Sequence, residues 1–351
     1  MKTNGELKPT LEKLMSENDV VFIVPHNRPD FDALGASVGM SLIASKKYKK
    51  RNYIVINDEY EKLPLEIRKM IDEISTRYNI IKVEDINLLK SDNSLMIAVD
   101  VNKDYLISTK DCLDTFKDIL VIDHHLPDDH TISTPNLFID STLSSTCEEI
   151  SKLIFGLGVK ISPTDANYLL SGIVLDTSRL TKNLSPKTFN VLSKLTERGA
   201  DTATVNNLFL EDFEHDRIIQ KLINDTQFLR YSFAIAADAS DSERIYTIED
   251  IAICADYILR YAVDASFSMA YIDQDVISVS ARSKGAFDVS KIMSKLGGGG
   301  NPTSAATRIK GHKISEVKEY LQLLLLPYNL NTIEFEEFCK ELNSNKLIKK
   351  L

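Results

Sequence analysis

The N-terminal half of the sequence contains short motifs in which aspartate and histidine lie close together. In the first motif, HNRPDFD, the residues His26, Asp30 and Asp32 lie within one stretch of seven. An imidazole nitrogen and carboxylate oxygens together suit a hard or borderline divalent cation. A strand-to-helix loop whose aspartate only caps the helix would have a similar sequence. Both interpretations therefore stand for this motif taken alone.

Three further motifs place acids or histidines directly after apolar stretches. Asp100 closes SLMIAVD, and Asp123, His124 and His125 close DILVIDHH. Ionisable groups that emerge in a row from a buried strand are costly unless they are ligated, paired or solvated. Asp176 ends an apolar helical stretch, where the helix dipole disfavours a carboxylate unless a cation offsets it. With the first motif, these residues supply five carboxylates and three histidines.

These side chains can act together only if the fold brings them to one place. Up to about residue 200 the chain alternates apolar runs with amphipathic stretches, which indicates a doubly wound parallel sheet. Strands are predicted at 19–26, 52–57, 94–101 and 118–125. Ligands bind at the carboxyl ends of the strands in such a sheet. Two metals about 4 Å apart, bridged by one carboxylate, could activate a water there for attack on a phosphoester.

Serine residues mark the predicted starts of three helices in the same region. The Ser-Pro pairs at 162–163 and 185–186 each combine a capping serine with a proline in the first turn. A third apolar helix follows Ser144, Ser145 and Thr146. These hydroxyl groups are interpreted either as a simple helix cap or as part of the site.

From residue 231 the pattern changes to that of a smaller α/β domain with a hairpin at about 265–283. Four glycines, Gly297–Gly300, run into Asn301 and are interpreted as a loop that leads into a helix N-terminus. Backbone N–H groups at such a position favour an anion, and the missing side chains allow close approach. One glycine would suffice for an ordinary helix C-cap. Arg282 is a candidate to contact phosphate or a base edge, although a lone arginine is more often a surface residue.

Composition limits the classes of function. The formal net charge of −9 disfavours an extended footprint on duplex nucleic acid, because such surfaces are normally basic. The four cysteines lie far apart, which indicates reduced thiols and a cytoplasmic location. No apolar run reaches the roughly 18 residues that a membrane span requires. The first twenty residues are too polar for a signal peptide.

With these motifs in view, the sequence from Asp19 to Leu326 resembles the DHH phosphoesterase superfamily, whose signature matches Asp123-His124-His125. Within it, the sequence is most similar to the catalytic region of GdpP-type cyclic di-AMP phosphodiesterases. The stretches that carry this narrower likeness are PHNRPDFDALGAS, AVDVN, GIVLDTSRLT, RGADTATV, VSARSKG and IMSKLGGGG.

The resemblance implies an α/β fold in which a doubly wound parallel-sheet DHH domain is followed by a smaller α/β DHH-associated domain. The implied segments are a polar segment at 1–18, the DHH catalytic domain at 19–200, a helical linker at 201–230, the DHH-associated substrate-binding domain at 231–326 and a helical tail at 327–351.

The resemblance also implies a cofactor of two manganese ions, with iron or cobalt able to occupy the same ligands. The implied ligands are His26, Asp30 and Asp100 for one ion, and Asp32, Asp100, His124 and Asp176 for the other. The implied catalytic residues are Asp123, which orients a ligand, and His125, which contacts the substrate phosphate. The implied substrate contacts are Ser145, Thr146, Arg282, Ser283, Gly298, Gly299, Gly300 and Asn301.

The activity implied is hydrolysis of cyclic di-AMP to pApA by a water that the two metals activate. Alternatives are a nano-RNase or 3′-phosphoadenosine-5′-phosphate phosphatase that acts on short linear nucleotides, and a cyclic-dinucleotide sensor with weakened catalysis. The sensor draws support from Asn301, which stands where the family usually has histidine and cannot carry a proton charge. We also expect a homodimer that binds no duplex nucleic acid, located in the cytoplasm alone or as the cytoplasmic part of a membrane-anchored protein.

Overall fold

The computed structural model describes residues 4–56, 60–209, 213–229, 232–238 and 245–329. The chain divides into two compact units, Met1–Glu211 and Asp212–Leu351. Among the described residues, no helix is both long enough and apolar enough to cross a membrane.

The first unit is built on a six-stranded parallel sheet. Its strands are β1 (Val20–Val24), β2 (Arg51–Val55), β3 (Ile80–Ile81), β4 (Ser94–Val99), β5 (Asp118–Asp123) and β6 (Asn136–Ile139). Their order, β3-β2-β1-β4-β5-β6, reverses direction between β1 and β4. In open α/β sheets that switch point is where ligands bind. The predicted doubly wound sheet is confirmed, and β3 and β6 are short strands that the apolar pattern did not reveal.

Helices cover this sheet and supply most of its core. They are α1 (Asn4–Glu17), α2 (Phe31–Leu42), α3 (Leu65–Ser75), α4 (Ile86–Leu89), α5 (Thr146–Gly156), α6 (Pro163–Asp176), α7 (Pro186–Thr196) and α8 (Thr202–Leu208). Every residue of α2 is buried. The polar N-terminal segment forms α1, and its residues Leu7, Leu11 and Met15 are fully buried in the core of this unit.

The predicted helix starts at the two Ser-Pro pairs are confirmed. Ser162 caps α6 by accepting a hydrogen bond from the Asp165 N–H, and Ser185 caps α7 by accepting one from the Thr188 N–H. In both helices proline occupies the first turn, where its missing N–H leaves no intrahelical bond unmade. The Ser162 cap fixes where α6 begins, and Asp176 is the last residue of that helix.

The second unit contains a mixed six-stranded sheet. Its strands are β7 (Thr226–Leu229), β8 (Phe233–Ala237), β9 (Ala265–Asp273), β10 (Val276–Ser283), β11 (Gly299–Asn301) and β12 (Ser304–Lys310), and its helices are α9 (Phe213–Asn224), α10 (Ile248–Ile258), α11 (Val289–Lys295) and α12 (Ile314–Asn329). The strand order is β11-β12-β10-β9-β8-β7. The predicted hairpin is formed by β9 and β10. Most of the predicted tail, from residue 330, lies outside the described residues.

The glycine run corrects one sequence prediction, because it leads into a β-hairpin instead of a helix N-terminus. Gly297 has a φ of +79° and ends α11 as an ordinary helix cap. The glycines that follow lie in or beside β11, which pairs with β12. A Cβ on Gly298 would lie 2.2 Å from the Ala306 carbonyl oxygen, and one on Gly300 would lie 2.5 Å from the Ala305 Cα. Gly298 and Gly300 are therefore required for the two strands to approach each other.

Candidate metal centre

The eight acids and histidines predicted to do chemistry come together in the first unit, at the carboxyl ends of β1, β4 and β5. These three strands are neighbours in the sheet. Asp30 is the N-cap of α2, where its Oδ1 accepts hydrogen bonds from the N–H groups of Asp32 and Ala33. The capping interpretation of the first motif is thus correct for Asp30, and it does not exclude metal binding by the same carboxylate.

One group of possible ligands consists of His26, Asp30 and Asp100. The Nε2 atom of His26 lies 3.7 Å from Asp100 Oδ2 and 3.9 Å from Asp30 Oδ1. Asp100 is almost fully buried, at 3% exposure. A nitrogen and two carboxylates from two strand ends therefore surround one point at the switch point of the sheet.

A second group consists of Asp32, His124 and Asp176, with Asp100 close by. The Nε2 atom of His124 lies 3.1 Å from Asp176 Oδ2, 3.5 Å from Asp100 Oδ1 and 4.0 Å from Asp32 Oδ2. This nitrogen is buried, and although Asp176 Oδ2 is only 3.1 Å away, it has hydrogen-bond geometry with no residue that the structure describes. An orphaned imidazole nitrogen that faces three carboxylates is the arrangement expected around a cation.

The spacings in both groups fit the ligands of a small divalent cation. Ligand atoms about 2.1 Å from an ion lie about 3.0 Å apart when they are at right angles and about 4.2 Å apart when they are opposite. The distances from the His26 and His124 nitrogens, which run from 3.1 to 4.0 Å, fall between these limits. The donor set of imidazole and carboxylate suits manganese, iron and cobalt alike.

Asp100 connects the two groups. Of its two carboxylate oxygens, Oδ2 lies 3.7 Å from His26 Nε2, and Oδ1 lies 3.5 Å from His124 Nε2. The residue has a φ of +59°, in the left-handed region that residues other than glycine seldom adopt. Its backbone N–H donates to the Ile122 carbonyl of the adjacent strand β5, which holds the turn in place. Such a conformation at a functional residue is a form of stored strain.

The N-terminus of α5 positions Asp32. The backbone N–H of Thr146 donates to Asp32 Oδ2 at 2.7 Å, and that of Cys147 donates to Asp32 Oδ1 at 2.8 Å. Thr146 also donates its hydroxyl to Asp100 Oδ1 at 3.0 Å, while Ser145 caps the helix. Ser145 and Thr146 are 0% and 1% exposed. Their known contacts are thus inside the protein, and a direct contact with substrate stays a prediction.

Asp123 holds the loop that carries the two histidines. Its Oδ1 accepts hydrogen bonds from the backbone N–H groups of His124 and His125 and lies 2.9 Å from His125 Nδ1. Its Oδ2 accepts a hydrogen bond of 2.6 Å from the Asn102 amide, which also donates to the His125 carbonyl. Asn102 is a residue of the centre that was not predicted from the sequence. Its only signal was its place in the motif AVDVN, two residues after Asp100.

The electrostatics of the centre indicate excess negative charge. Burial and the charge of Asp32 raise the pKa of Asp100 well above its usual value. Burial and the charge of Asp176 also raise the pKa of Asp32. Burial lowers the pKa of His124, but the close Asp176 carboxylate and the Asp32 charge outweigh burial and raise that pKa to about 9. Bound divalent cations would reduce this repulsion between the carboxylates.

The remaining predicted site residues lie in the second unit. Arg282, on β10, is held by Asp256, whose Oδ2 is 3.1 Å from the arginine Nε, and by the Ser280 hydroxyl. Ser283 is 6% exposed and donates its hydroxyl to the Pro302 carbonyl. Across the sheet, Arg282 pairs with Ser304, and Ser304 pairs in turn with the exposed Asn301. This unit therefore groups Arg282, Ser283 and the glycine hairpin at one end of its sheet.

Comparison with known proteins gives matches over both units. The model of the DHH family, N-terminal domain, matches residues 20–173, and that of the DHHA1 domain matches residues 234–325. The cyclic-di-AMP phosphodiesterase PdeA of Listeria monocytogenes is 32% identical over 90% of this chain and 48% of its own. GdpP of Bacillus subtilis is 32% identical over 89% and 48%. The chain thus spans about half the length of these relatives.

A third relative and two solved structures extend the comparison. The bifunctional oligoribonuclease and PAP phosphatase NrnA of Mycoplasma genitalium is 27% identical over 85% of this chain and 92% of its own. An exopolyphosphatase-related protein from Bacteroides fragilis superimposes with a TM-score of 0.72 at 20% identity, covering 92% of this chain and 97% of that one. RecJ from Thermus thermophilus, solved in complex with Mn²⁺, gives 0.53 at 14% identity, over 92% and 55%. At these identities the two structures show that the fold is shared.

Proposed function

The chain belongs to the DHH family and carries a DHHA1 domain after its DHH domain, and from this premise we propose that it is a metal-dependent phosphodiesterase. Its substrate is cyclic di-AMP, its product is pApA, and its cofactor is a pair of manganese ions. The observation that carries the proposal is a pair of ligand groups with Asp100 in one and 3.5 Å from the orphaned His124 nitrogen of the other. RecJ, which has the same fold, supports manganese as the metal.

The residues of the centre would divide the work between holding cations and holding substrate. Bound divalent cations would lower the pKa of a water and neutralise charge on the phosphoryl group. His26, Asp30 and Asp100 would hold one cation, and Asp32, Asp100, His124 and Asp176 would hold the other.

His125 is the residue of this loop best suited to touch the substrate. Its side chain is 58% exposed, whereas that of His124 is only 15% exposed. The hydrogen bond that Asp123 Oδ1 accepts from His125 Nδ1 raises the pKa of His125 above its usual value, so the ring carries a positive charge more readily. A protonated imidazole can donate to a phosphate oxygen and balance its charge. Asp123 would thus act by orienting His125 as well as the loop backbone.

The choice of cyclic di-AMP rests on relatives. PdeA and GdpP are named as cyclic-di-AMP phosphodiesterases, and each aligns with about nine-tenths of this chain. In the second unit, the preorganised Arg282 and the exposed glycine hairpin offer hydrogen-bond donors for phosphate. Asn301 adds a donor without charge, so phosphate binding at the hairpin would depend on the neighbouring Arg282.

The test is incubation of the purified chain with cyclic di-AMP, with and without added Mn²⁺, followed by chromatography of the products. We expect pApA to accumulate only with metal. His124→Ala, which removes the orphaned nitrogen, should accumulate none, while the exposed control His312→Ala should behave as wild type. Intact cyclic di-AMP after incubation with Mn²⁺ would exclude this substrate.

A second candidate is hydrolysis of short linear nucleotides, which the NrnA relative favours because this chain covers 92% of its length. The same ligand groups would serve that reaction. Rates measured on cyclic di-AMP, pApA and 3′-phosphoadenosine-5′-phosphate under one set of conditions separate the two. A preference of more than tenfold for the linear nucleotides would select the second candidate.

A further inference from the structure

We propose that an exposed apolar surface beside the metal centre stacks a nucleobase of the substrate. This base platform consists of Tyr105, Leu106 and Leu126. The proposal rests on the phosphodiester function proposed above but not on cyclic di-AMP as the substrate. The first unit would then recognise a base of the substrate.

The platform lies on two loops that follow the ligand-bearing strands β4 and β5. Leu126 comes directly after His125, and Tyr105 lies five residues after Asp100. The Leu106 carbonyl accepts a hydrogen bond of 2.7 Å from the N–H of Asn27, the neighbour of His26. The platform is thus tied to each of the three strand ends that supply the candidate metal ligands.

The two loops are fixed to each other by a dense set of contacts. Lys103, only 9% exposed, donates to the Leu126 carbonyl and forms an ion pair of 2.8 Å with Asp128. The Asp104 N–H donates to the His130 carbonyl at 3.0 Å. These contacts leave the loop backbones little freedom, so a ligand that binds the platform need not order them.

The apolar side chains on these rigid loops remain uncovered. Tyr105 is 50% exposed, Leu106 41% and Leu126 72%. The His130 and Tyr105 rings are perpendicular to each other, with centroids 5.4 Å apart. That contact orients the tyrosine side chain, while the residue as a whole stays half exposed. Large apolar groups held open beside a reactive site mark a place for a ligand.

A nucleobase is the ligand that this surface fits. Phosphodiesters of nucleosides carry a flat apolar ring near the phosphate, and bases stack on aromatic side chains without a need for charge. The chain carries a net charge of −9, so uncharged contacts are a suitable source of affinity for an anionic nucleotide. Apolar side chains with one aromatic ring provide contact area but no base-specific hydrogen bonds, so the platform would accept any base.

The experiment compares a linear adenine dinucleotide with its two counterparts in which one base is replaced by hydrogen. Tyr105→Ala should lower kcat/KM on the intact dinucleotide about 5- to 100-fold, mainly through KM, because stacking on one side chain is worth that factor. The same variant should leave kcat/KM unchanged on the counterpart that lacks the stacked base. Leu126→Ala should show the same pattern, and Tyr105→Phe should behave as wild type.

Leu88→Ala is the matched control, because Leu88 is 83% exposed but precedes β4, at the opposite end of that strand from the centre. Equal losses on intact and base-free substrates, or no loss on either, would overturn the proposal. So would a changed oligomeric state with an unchanged KM for the dinucleotide, since the surface would then contact a second copy of the chain.

If the wild type cleaves no phosphodiester, the proposed function fails. Weaker AMP binding by Tyr105→Ala than by Leu88→Ala, measured by calorimetry with Mn²⁺, would then still support the platform, and equal binding would overturn it.

Discussion

Gly172→Ala should weaken metal binding without altering any proposed ligand. Gly172 lies on α6, where a Cβ would be 2.6 Å from Asp32 Oδ1, 2.7 Å from the Asp32 Cα and 2.6 Å from Cys147 Sγ. Asp32 and α6 must therefore separate by about 0.8 Å to reach an ordinary contact of 3.4 Å. That displacement acts directly on the hydrogen bonds from Thr146 and Cys147 that hold the Asp32 carboxylate.

The expected magnitude has two parts. Overpacking at a buried helix crossing costs about 1–3 kcal/mol of stability. Disturbing groups that orient metal ligands costs about 10- to 100-fold in metal affinity or activity. The Mn²⁺ concentration that gives half-maximal hydrolysis should therefore rise about 10- to 100-fold in this variant.

The assay is a Mn²⁺ titration of hydrolysis, run beside thermal unfolding of the same preparations. Gly156→Ala is the matched control, because a Cβ at Gly156 would meet no atom within 4 Å. In that variant the Mn²⁺ requirement should be unchanged and the stability unchanged or higher by up to about 1 kcal/mol. A Gly172→Ala protein that folds and keeps the wild-type Mn²⁺ requirement would refute the role assigned to Asp32.

Three further predictions follow from the centre. Asp100→Ala, which removes the carboxylate proposed to serve both cations, should abolish hydrolysis while circular dichroism shows an intact fold; activity near wild type would contradict the shared-ligand assignment. Asn102→Ala should lower kcat about 10- to 100-fold by releasing Asp123, and an unchanged kcat would show that this hydrogen bond is dispensable. Mn²⁺ binding at pH 7 should release protons, because His124, with a pKa raised to about 9, must lose its proton to bind a cation. Calorimetry in buffers of different ionisation enthalpy measures this release, and affinity should increase with pH up to about 9.

The sequence was sufficient to locate the acids and histidines of the centre because most of them lie where a strand or helix with a strong apolar pattern ends. Asp100, Asp123 and Asp176 all follow buried runs, and parallel strands bring such ends to one edge. The hydrogen bonds that orient the ligands were not predictable in this way. Asn102 acts through a contact to β5, 21 residues away, and Thr146 through one to α2, 114 residues away.

The glycine run shows a different limit of sequence reasoning. Consecutive glycines signal a close approach of backbone to something, but they do not say whether that partner is an anion or another strand. Here the partner is β12, because a side chain at Gly298 or Gly300 would clash with that strand. The short strands β3 and β6 were not predicted for a related reason. Each is a strand because it pairs with a neighbour, β2 or β5, and its own few residues carry too little pattern to show this.

If Asp100 serves both proposed cation sites, the two halves of the centre would form a single thermodynamic unit. Filling either half would then change the affinity of the other, and linkage requires the same factor in each direction. The fraction of protein with both sites filled would then depend on the metal concentration with a steepness different from that of two independent sites. The reaction rate of such an enzyme would therefore depend on the metal concentration around it. The coupling through Asp100 would determine how steep that dependence is.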